Sequence, residues 1–82
     1  MVTPGVTRRV RLEYPIHRVR EPILYHLIVD FGLIPNVYRA RIDLNAGGFI
    51  ELDISGAGDA LDRALEWVER CGVRVTQSVD LE

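Results

Sequence analysis

Two kinds of apolar repeat, in a fixed order along the chain, constrain the fold more than any other feature of this sequence. In residues 6–14 apolar side chains fall at every second position, and the same period returns in residues 37–44 and 49–55. A period of two is typical of a β-strand with one buried face. In residues 22–32 and 58–71 the apolar positions recur at intervals of three and four, as in a helix with one buried stripe. Residues 73–79 form a last extended segment.

The same alternation assigns side chains to the two faces of each strand. Inward-facing positions are predicted to be Val6, Val10, Leu12 and Tyr14; Tyr38, Ala40, Ile42 and Leu44; Ile50, Leu52 and Ile54; and Val73 and Val75. Between the second and third strands, Asn45-Ala46-Gly47-Gly48 is typical of a hairpin turn, because glycine reaches positive φ without strain.

The resulting order is strand, helix, strand, strand, helix, strand, which predicts an α+β fold of the ferredoxin-like βαββαβ type. Right-handed crossovers place both helices on one face of a four-stranded antiparallel sheet and set the first and third strands side by side. We expect one domain over residues 6–79, with tails at 1–5 and 80–82.

Composition limits where a site can lie. With 82 residues the protein is one domain, too small for a deep internal active site, so a site is expected on the surface, at an edge or between two copies. The one cysteine, Cys71, forms no internal disulfide and no tetrahedral zinc site, which favours a cytoplasmic protein. The sequence has neither a signal stretch nor an apolar run long enough to insert in a membrane.

The outward positions of the strands carry charges of both signs. Two arginine-bearing strands flank an acidic one, which predicts a network of cross-strand ion pairs on an open sheet face formed by Arg9, Arg11 and Glu13, by Glu51 and Asp53, and by Arg39, Arg41 and Asp43. An RNA-recognition module of this topology needs aromatic platforms on its central strands, and here only Phe49, at a strand end, could face outward. We therefore predict no nucleic-acid partner.

No set of residues with catalytic or metal-binding spacing is legible. His17 and His26 lie apart without a cysteine partner, and both are expected to be exposed to solvent. Cys71 is expected to act as a small buried hydrophobe at the end of the second helix. Gly56-x-Gly58 lacks the lysine or third glycine of a phosphate loop. The prediction is a protein that is not an enzyme and has no metal site and no cofactor.

Several short motifs share the order and spacing of one known family. They are Glu21-Pro22-Ile23, Asp30-Phe31-Gly32, Asn36-Val37-Tyr38, Ala40-x-Ile42-Asp43, Ser55-Gly56, Ala64-Leu65-x-x-Val68 and Cys71-Gly72-Val73-x-Val75. Together they resemble the NIL domain, a family named for an Asn-Ile-Leu motif at the start of its second strand. In this sequence Val37 and Tyr38 stand where the family has Ile and Leu.

The resemblance implies a ferredoxin-like regulatory domain. NIL domains occur at the C-terminus of methionine-importing ABC transporter ATPases, where they bind methionine and restrain transport, and they also occur beside ferredoxin modules or alone. The family's Asn lies at a ligand site formed where two NIL domains meet, which implies Asn36, Val37 and Tyr38 as ligand-binding residues. The residues themselves leave two interpretations of Asn36 open: a side chain that caps a turn after Pro35, or an amide that holds an amino acid. Tyr38 is predicted to be in the core first and a pocket wall second.

Two hypotheses of function follow. The first is a non-catalytic regulatory domain that binds a small amino acid, with methionine as the family's ligand, in a homodimer; unpaired edge strands favour a dimer. The second is a protein-interaction module that docks on a separate ferredoxin or ABC transporter subunit in sulfur amino-acid metabolism.

Overall fold

The order of strands and helices is the predicted one. The computed structural model describes residues 5–19 and 21–81, the last four of these as backbone. Its elements are β1 (Val6–Tyr14), a short 3-10 helix (Ile16–Arg18), α1 (Ile23–Val29), β2 (Ile34–Asp43), β3 (Gly47–Gly56), α2 (Gly58–Arg70) and β4 (Arg74–Leu81). The 3-10 helix was not predicted. Of the expected tails, residues 1–4 and residue 82 lie outside the described residues.

The four strands form one antiparallel sheet in the order β2-β3-β1-β4. The first and third strands are central, as predicted, and Val10 of β1 lies opposite Leu52 of β3. β2 and β4 are the two edges of the sheet. β4 extends to Leu81, two residues beyond the predicted end of the domain.

The core lies between one face of the sheet and both helices. The buried side chains form a single cluster of Val10, Leu12, Tyr14, Ile23, Leu27, Leu33, Leu52, Ile54, Ala60, Leu61, Ala64, Leu65, Val68 and Val73. This set confirms most of the inward positions predicted for β1 and β3. Among the described residues no helix covers the other face of the sheet, which is called the open face below.

Helix α2 covers the β1–β4 side of the sheet with a continuous apolar stripe. Ala60, Leu61, Ala64 and Val68 are buried along it, at the spacing of one helical face. On its solvent side, Arg63 donates to Asp59 at 3.0 Å, with the acid four residues earlier, which is the favoured order.

Helix α1 has only seven residues, against the eleven predicted, and it lies beside β2. Ile23 and Leu27 are buried, whereas Tyr25, Ile28 and Val29 are more than half exposed. The helix ends before Gly32, which has a φ of 66°. A helix of two turns is too short to cover the whole length of β2.

The predicted inward set on β2 is wrong as a description of the core. Tyr38, Ala40, Ile42 and Leu44 are all exposed, and no residue of β2 is buried. The alternation correctly predicted a strand, but β2 is an edge strand that α1 only partly covers. No helix in residues 5–19 and 21–81 has the length and apolar character needed to cross a membrane.

Candidate ligand site

The family motif lies on the edge strand β2, and its three residues face two sides of the sheet. Asn36 is opposite Asp53 of β3, and Val37 is opposite Leu52. Because directly opposed residues in an antiparallel pair share a face, Asn36 lies on the open face with Asp53. Val37, opposite the buried Leu52, lies on the helix-covered side and is 43% exposed.

A β-bulge at Tyr38 interrupts the alternation of faces along β2, so Tyr38 does not share a face with Ala40 and Ile42. Val37 pairs with Leu52 and Arg39 with Glu51, so Tyr38 is an extra residue without its own partner on β3. Its ring lies on the open face, where the guanidinium carbon of Arg9 is 4.6 Å from the ring centroid. The prediction that Tyr38 belongs to the core is therefore wrong, because the bulge turns the ring away from α1.

Asn36 and Tyr38 thus share the open face with an ion pair between Arg9 and Asp53. The Nε of Arg9 donates to one carboxylate oxygen of Asp53 at 2.8 Å, and a second guanidinium nitrogen donates to the other oxygen at 3.2 Å. These hydrogen bonds from Arg9 hold the pKa of Asp53 below its usual value. Two parallel hydrogen bonds fix the orientation of both groups, so the charges beside Asn36 are already paired.

The side-chain amide of Asn36 is available to a ligand. Asn36 is exposed, and no hydrogen bond joins its side chain to another residue in the described part of the protein. The turn-capping interpretation of Asn36 therefore finds no support in the structure. An amide offers two donors and one acceptor, enough to bind either the carboxylate or the ammonium group of an amino acid.

The rest of the open face carries much of the ion-pair network that the sequence predicted, although Arg41 and Asp43 form no ion pair with the described residues. Glu51 accepts hydrogen bonds from Arg39 at 2.7 Å and from Arg11 at 2.8 Å, and the first of these is the largest cause of its lowered pKa. The guanidinium of Arg11 also lies 3.9 Å from the centroid of Phe49. Since this guanidinium covers the outward aromatic ring, Phe49 does not present a free platform for a nucleic-acid base.

Among the surface clefts of the described residues, three prominent ones lie elsewhere and are not lined by Asn36, Val37 or Tyr38. An acidic groove of about 360 Å³ runs between α2 and β4. An apolar cleft of about 240 Å³ lies under the start of α1 and includes Tyr25 and Ile42. A third, of about 320 Å³, lies at the hairpin between Arg41 and Phe49. The motif residues lie outside these three clefts, on an exposed part of the edge strand.

The other chemically interesting residues have structural surroundings. His17 is exposed, as predicted. His26 is not simply exposed: its ring meets Trp67 of α2 edge-on at 5.4 Å, and its Nδ1 lies 2.7 Å from a carboxylate oxygen of Asp30. Cys71 is half-buried against the core, in keeping with a small hydrophobe. Within the described ranges, no three His, Cys, Asp or Glu side chains come together to hold a metal ion.

Sequence reasoning missed an exposed apolar surface along α1 and β2. It consists of Tyr25, Ile28, Val29, Val37 and Ile42, each between 43% and 58% exposed, and it is called here the α1–β2 surface. The signal was present in the sequence, because both segments have more apolar positions than a short helix can bury against an edge strand. The pattern alone does not distinguish residues buried within one copy from residues buried between copies.

Comparison with known proteins agrees with the motif. The family model described as the NIL domain matches residues 8–77. No curated protein matches the sequence. Among solved structures, the crystal structure of the C-terminal domain of an ABC transporter ATP-binding protein from Enterococcus faecalis is similar, with 15% sequence identity and a TM-score of 0.74 over 85% of this chain and 81% of that one. At this identity the likeness concerns the fold alone. Because the family model spans most of the sequence, the protein belongs to the NIL domain family.

Proposed function

We propose that this protein is a non-catalytic regulatory domain that binds a small amino acid through Asn36, Val37 and Tyr38. Methionine is the first candidate for that ligand. The observation that carries the proposal is the free side-chain amide of Asn36, at the position of the family motif, on an edge strand. An amide without an internal partner exchanges only hydrogen bonds to water when it binds a ligand, whereas a capping amide would also have to break a hydrogen bond within the protein.

The neighbours of Asn36 suit the rest of an amino acid. The Tyr38 ring, half exposed on the same face, offers an apolar surface to a thioether side chain, and sulfur–aromatic contacts are favourable. The Arg9–Asp53 pair lies beside both residues and is already satisfied by its own two hydrogen bonds. A zwitterion, which carries no net charge, fits a surface of paired charges better than an anion or a cation would.

Regulation would follow from a difference in affinity between two states of the domain or its partner. A ligand shifts such an equilibrium only by as much as it favours one state. The similar solved domain belongs to an ABC transporter ATP-binding protein, which supports a cytoplasmic transporter ATPase as the partner of this domain. A homodimer is part of the proposal and is supported by the exposed α1–β2 surface.

Thermal unfolding in the presence of single amino acids tests this function. A ligand at 100 times its dissociation constant adds about 2.7 kcal/mol, and about 1 kcal/mol raises the melting temperature of a domain this small by roughly 4–8 °C. We expect methionine to raise the melting temperature of the wild type and to have little effect on Asn36→Ala. Asn45→Ala, which changes the other asparagine of the sequence, is the matched control and should respond like the wild type.

Two results would count against the proposal. One is a melting temperature that no amino acid changes. The other is a shift of the same size in Asn36→Ala as in the wild type, which would place the ligand elsewhere.

A second candidate function is docking on a separate ferredoxin or transporter subunit through the open face. The observation in its favour is Arg41, which forms no ion pair with any carboxylate of the described residues and lies at the end of the arginine-rich network. An acidic partner would pair with this charge. Binding of a purified acidic ferredoxin that weakens with salt and is lost in Arg41→Glu, with no response to amino acids, would favour docking over ligand binding.

A further inference from the structure

The groove between helix α2 and the edge strand β4 joins an apolar base to a row of acids. Its volume is about 360 Å³, and it is lined by Asp62, Leu65, Glu66, Glu69, Val75 and Gln77. Leu65 is buried and Val75 is half-buried, whereas the three acidic residues are exposed. The acids are spaced by four and three residues, so they form one row along the helix. The groove lies at the opposite edge of the sheet from Asn36.

The structure shows which chemical group this row of acids accepts. A guanidinium nitrogen of Arg8, which reaches across from β1, donates to a carboxylate oxygen of Asp62 at one end of the row. Glu66 and Glu69 form no ion pair with any described residue, and neither arginine of α2 lines the groove. Two carboxylates next to an occupied one are therefore available to further basic side chains.

β4 is the second edge of the sheet, and part of its outer side is regular. It pairs with β1 alone, and the register of that pairing is continuous from Arg74 to Gln77 and shifts beyond it. Over these four residues no described strand lies on the outer side, so alternate residues present unpaired N–H and C=O groups that can accept another strand. Val75 lies opposite the buried Leu12, which places the side chains of Val75 and Gln77 on the helix-covered side, toward the groove.

An extended segment added to this edge would send every second side chain over the groove. Side chains on one face of a strand are two residues apart, or about 6.7 Å. Residues three or four apart on a helix have Cβ atoms about 5–6 Å apart, and Glu66 and Glu69 are such neighbours. The two spacings are close enough for successive basic side chains of the segment to reach successive acids of the helix.

We propose that this groove binds an extended peptide segment with a basic side chain at every second position, added to the sheet as a fifth strand at β4. Its backbone pairs with residues 74–77, and its basic side chains meet Glu66 and Glu69. The aliphatic stems of those side chains lie over Leu65 and Val75. The partner is a peptide and not a metal ion, because a metal ion would leave the N–H groups of the edge without an acceptor. β2 and Asn36 take no part, so the inference goes beyond the proposed function.

Titration of the nitrogen-15-labelled protein with a synthetic peptide tests the site. The probe is a peptide in which arginine alternates with threonine, and the control peptide has glutamine in place of every arginine. We expect saturable shifts of the backbone amides of residues 74–77 with the arginine peptide and none with the glutamine peptide. The double variant Glu66→Gln, Glu69→Gln should bind about threefold to tenfold more weakly, because two exposed ion pairs are lost.

A second double variant controls for the change in net charge. Asp30→Asn, Asp59→Asn removes two acids that lie outside the groove, and it should bind the arginine peptide like the wild type. No binding of this peptide by the wild type, or equal weakening in the two double variants, would overturn the proposal.

Methylation of backbone nitrogens in the peptide separates strand addition from simple attraction between charges. A paired strand turns alternate N–H groups toward its neighbour. Methylating every second amide from the first residue, or every second amide from the second residue, should therefore abolish binding in one case and leave it nearly unchanged in the other. Equal binding of the two methylated peptides would overturn the proposal. So would the same amide shifts with calcium ions alone, which would assign the acids to a cation, or with rising protein concentration alone, which would assign the edge to a second copy.

Discussion

Burial of the Tyr14 ring predicts a loss of stability at high pH whose size follows from the structure. Tyr14 ends β1 and is 6% exposed, and burial raises its pKa to about 12 from an ordinary value of 10.0. Because the folded pKa lies above the unfolded one, folding favours the neutral phenol. The contribution is fully present below pH 10 and is lost as the pH rises from about 10 to about 12. Two pH units at about 1.36 kcal/mol each amount to roughly 2–3 kcal/mol.

Urea unfolding of the wild type and Tyr14→Phe between pH 8 and pH 12 measures this loss. The phenyl ring of the variant cannot ionise, whereas Tyr25 and Tyr38 are present in both proteins and cancel in the comparison. We expect the difference in the free energy of unfolding to be nearly constant at pH 8–9 and to change by roughly 2 kcal/mol by pH 12. If the free energies of unfolding of the two proteins fall in parallel over the whole pH range, this expectation is wrong, because Tyr14 would then ionise without a cost to the fold.

Three further predictions concern the core, the ion-pair network and the glycines. Leu61→Ala, at a fully buried position of α2, should lower the free energy of unfolding in urea by about 2–5 kcal/mol, and a loss below about 1 would contradict the described core. Glu51 has a lowered pKa, so its ion pairs stabilise the fold above its ordinary value of 4.5 and are lost as the pH falls through its folded pKa. Glu51→Gln should therefore show a shallower acid-induced decrease in melting temperature than the wild type, and identical profiles would argue against the network. Gly72 and Gly32 both have positive φ, but only at Gly72 would a Cβ lie 3.0 Å from Nε of Arg18. Gly72→Ala should consequently melt lower than Gly32→Ala, and the reverse order would contradict this close contact.

Much of the fold was predictable because local pattern and long-range packing agree in its centre. β1 was predicted with its observed bounds, and α2 to within one residue of its end. The hairpin between the second and third strands and the pairing of the first and third strands were also correct, although the turn lies at residues 44–46 and Gly47 and Gly48 belong to β3. In these elements most apolar side chains pack against others of the same protein molecule. The positions that periodicity predicts to face inward are therefore mostly the ones that are buried.

The edge strand shows where this reasoning stops. The alternation on β2 correctly identifies which residues share a face after the bulge, but it does not show whether anything covers that face, and α1 is too short to do so. The bulge at Tyr38 adds one residue to the strand, which moves a side chain to the opposite face. Nothing in the run of residues around Tyr38 marks that insertion, because a bulge depends on how two strands meet. The positions of Asn36 and Tyr38 relative to Arg9 could therefore be determined only from the structure.

The amide resonances of the protein offer the most direct test of ligand binding at Asn36. The sequence has two asparagines, Asn36 on the edge strand and Asn45 in the hairpin turn, so nitrogen-15 NMR follows one as the candidate and the other as an internal reference. On titration with methionine, we expect the side-chain NH₂ signals of Asn36 to shift in a saturable manner, together with the ring signals of Tyr38, while those of Asn45 stay in place. Signals of Asn36 that remain fixed while the spectrum changes elsewhere, or a spectrum that no amino acid changes, would contradict this expectation.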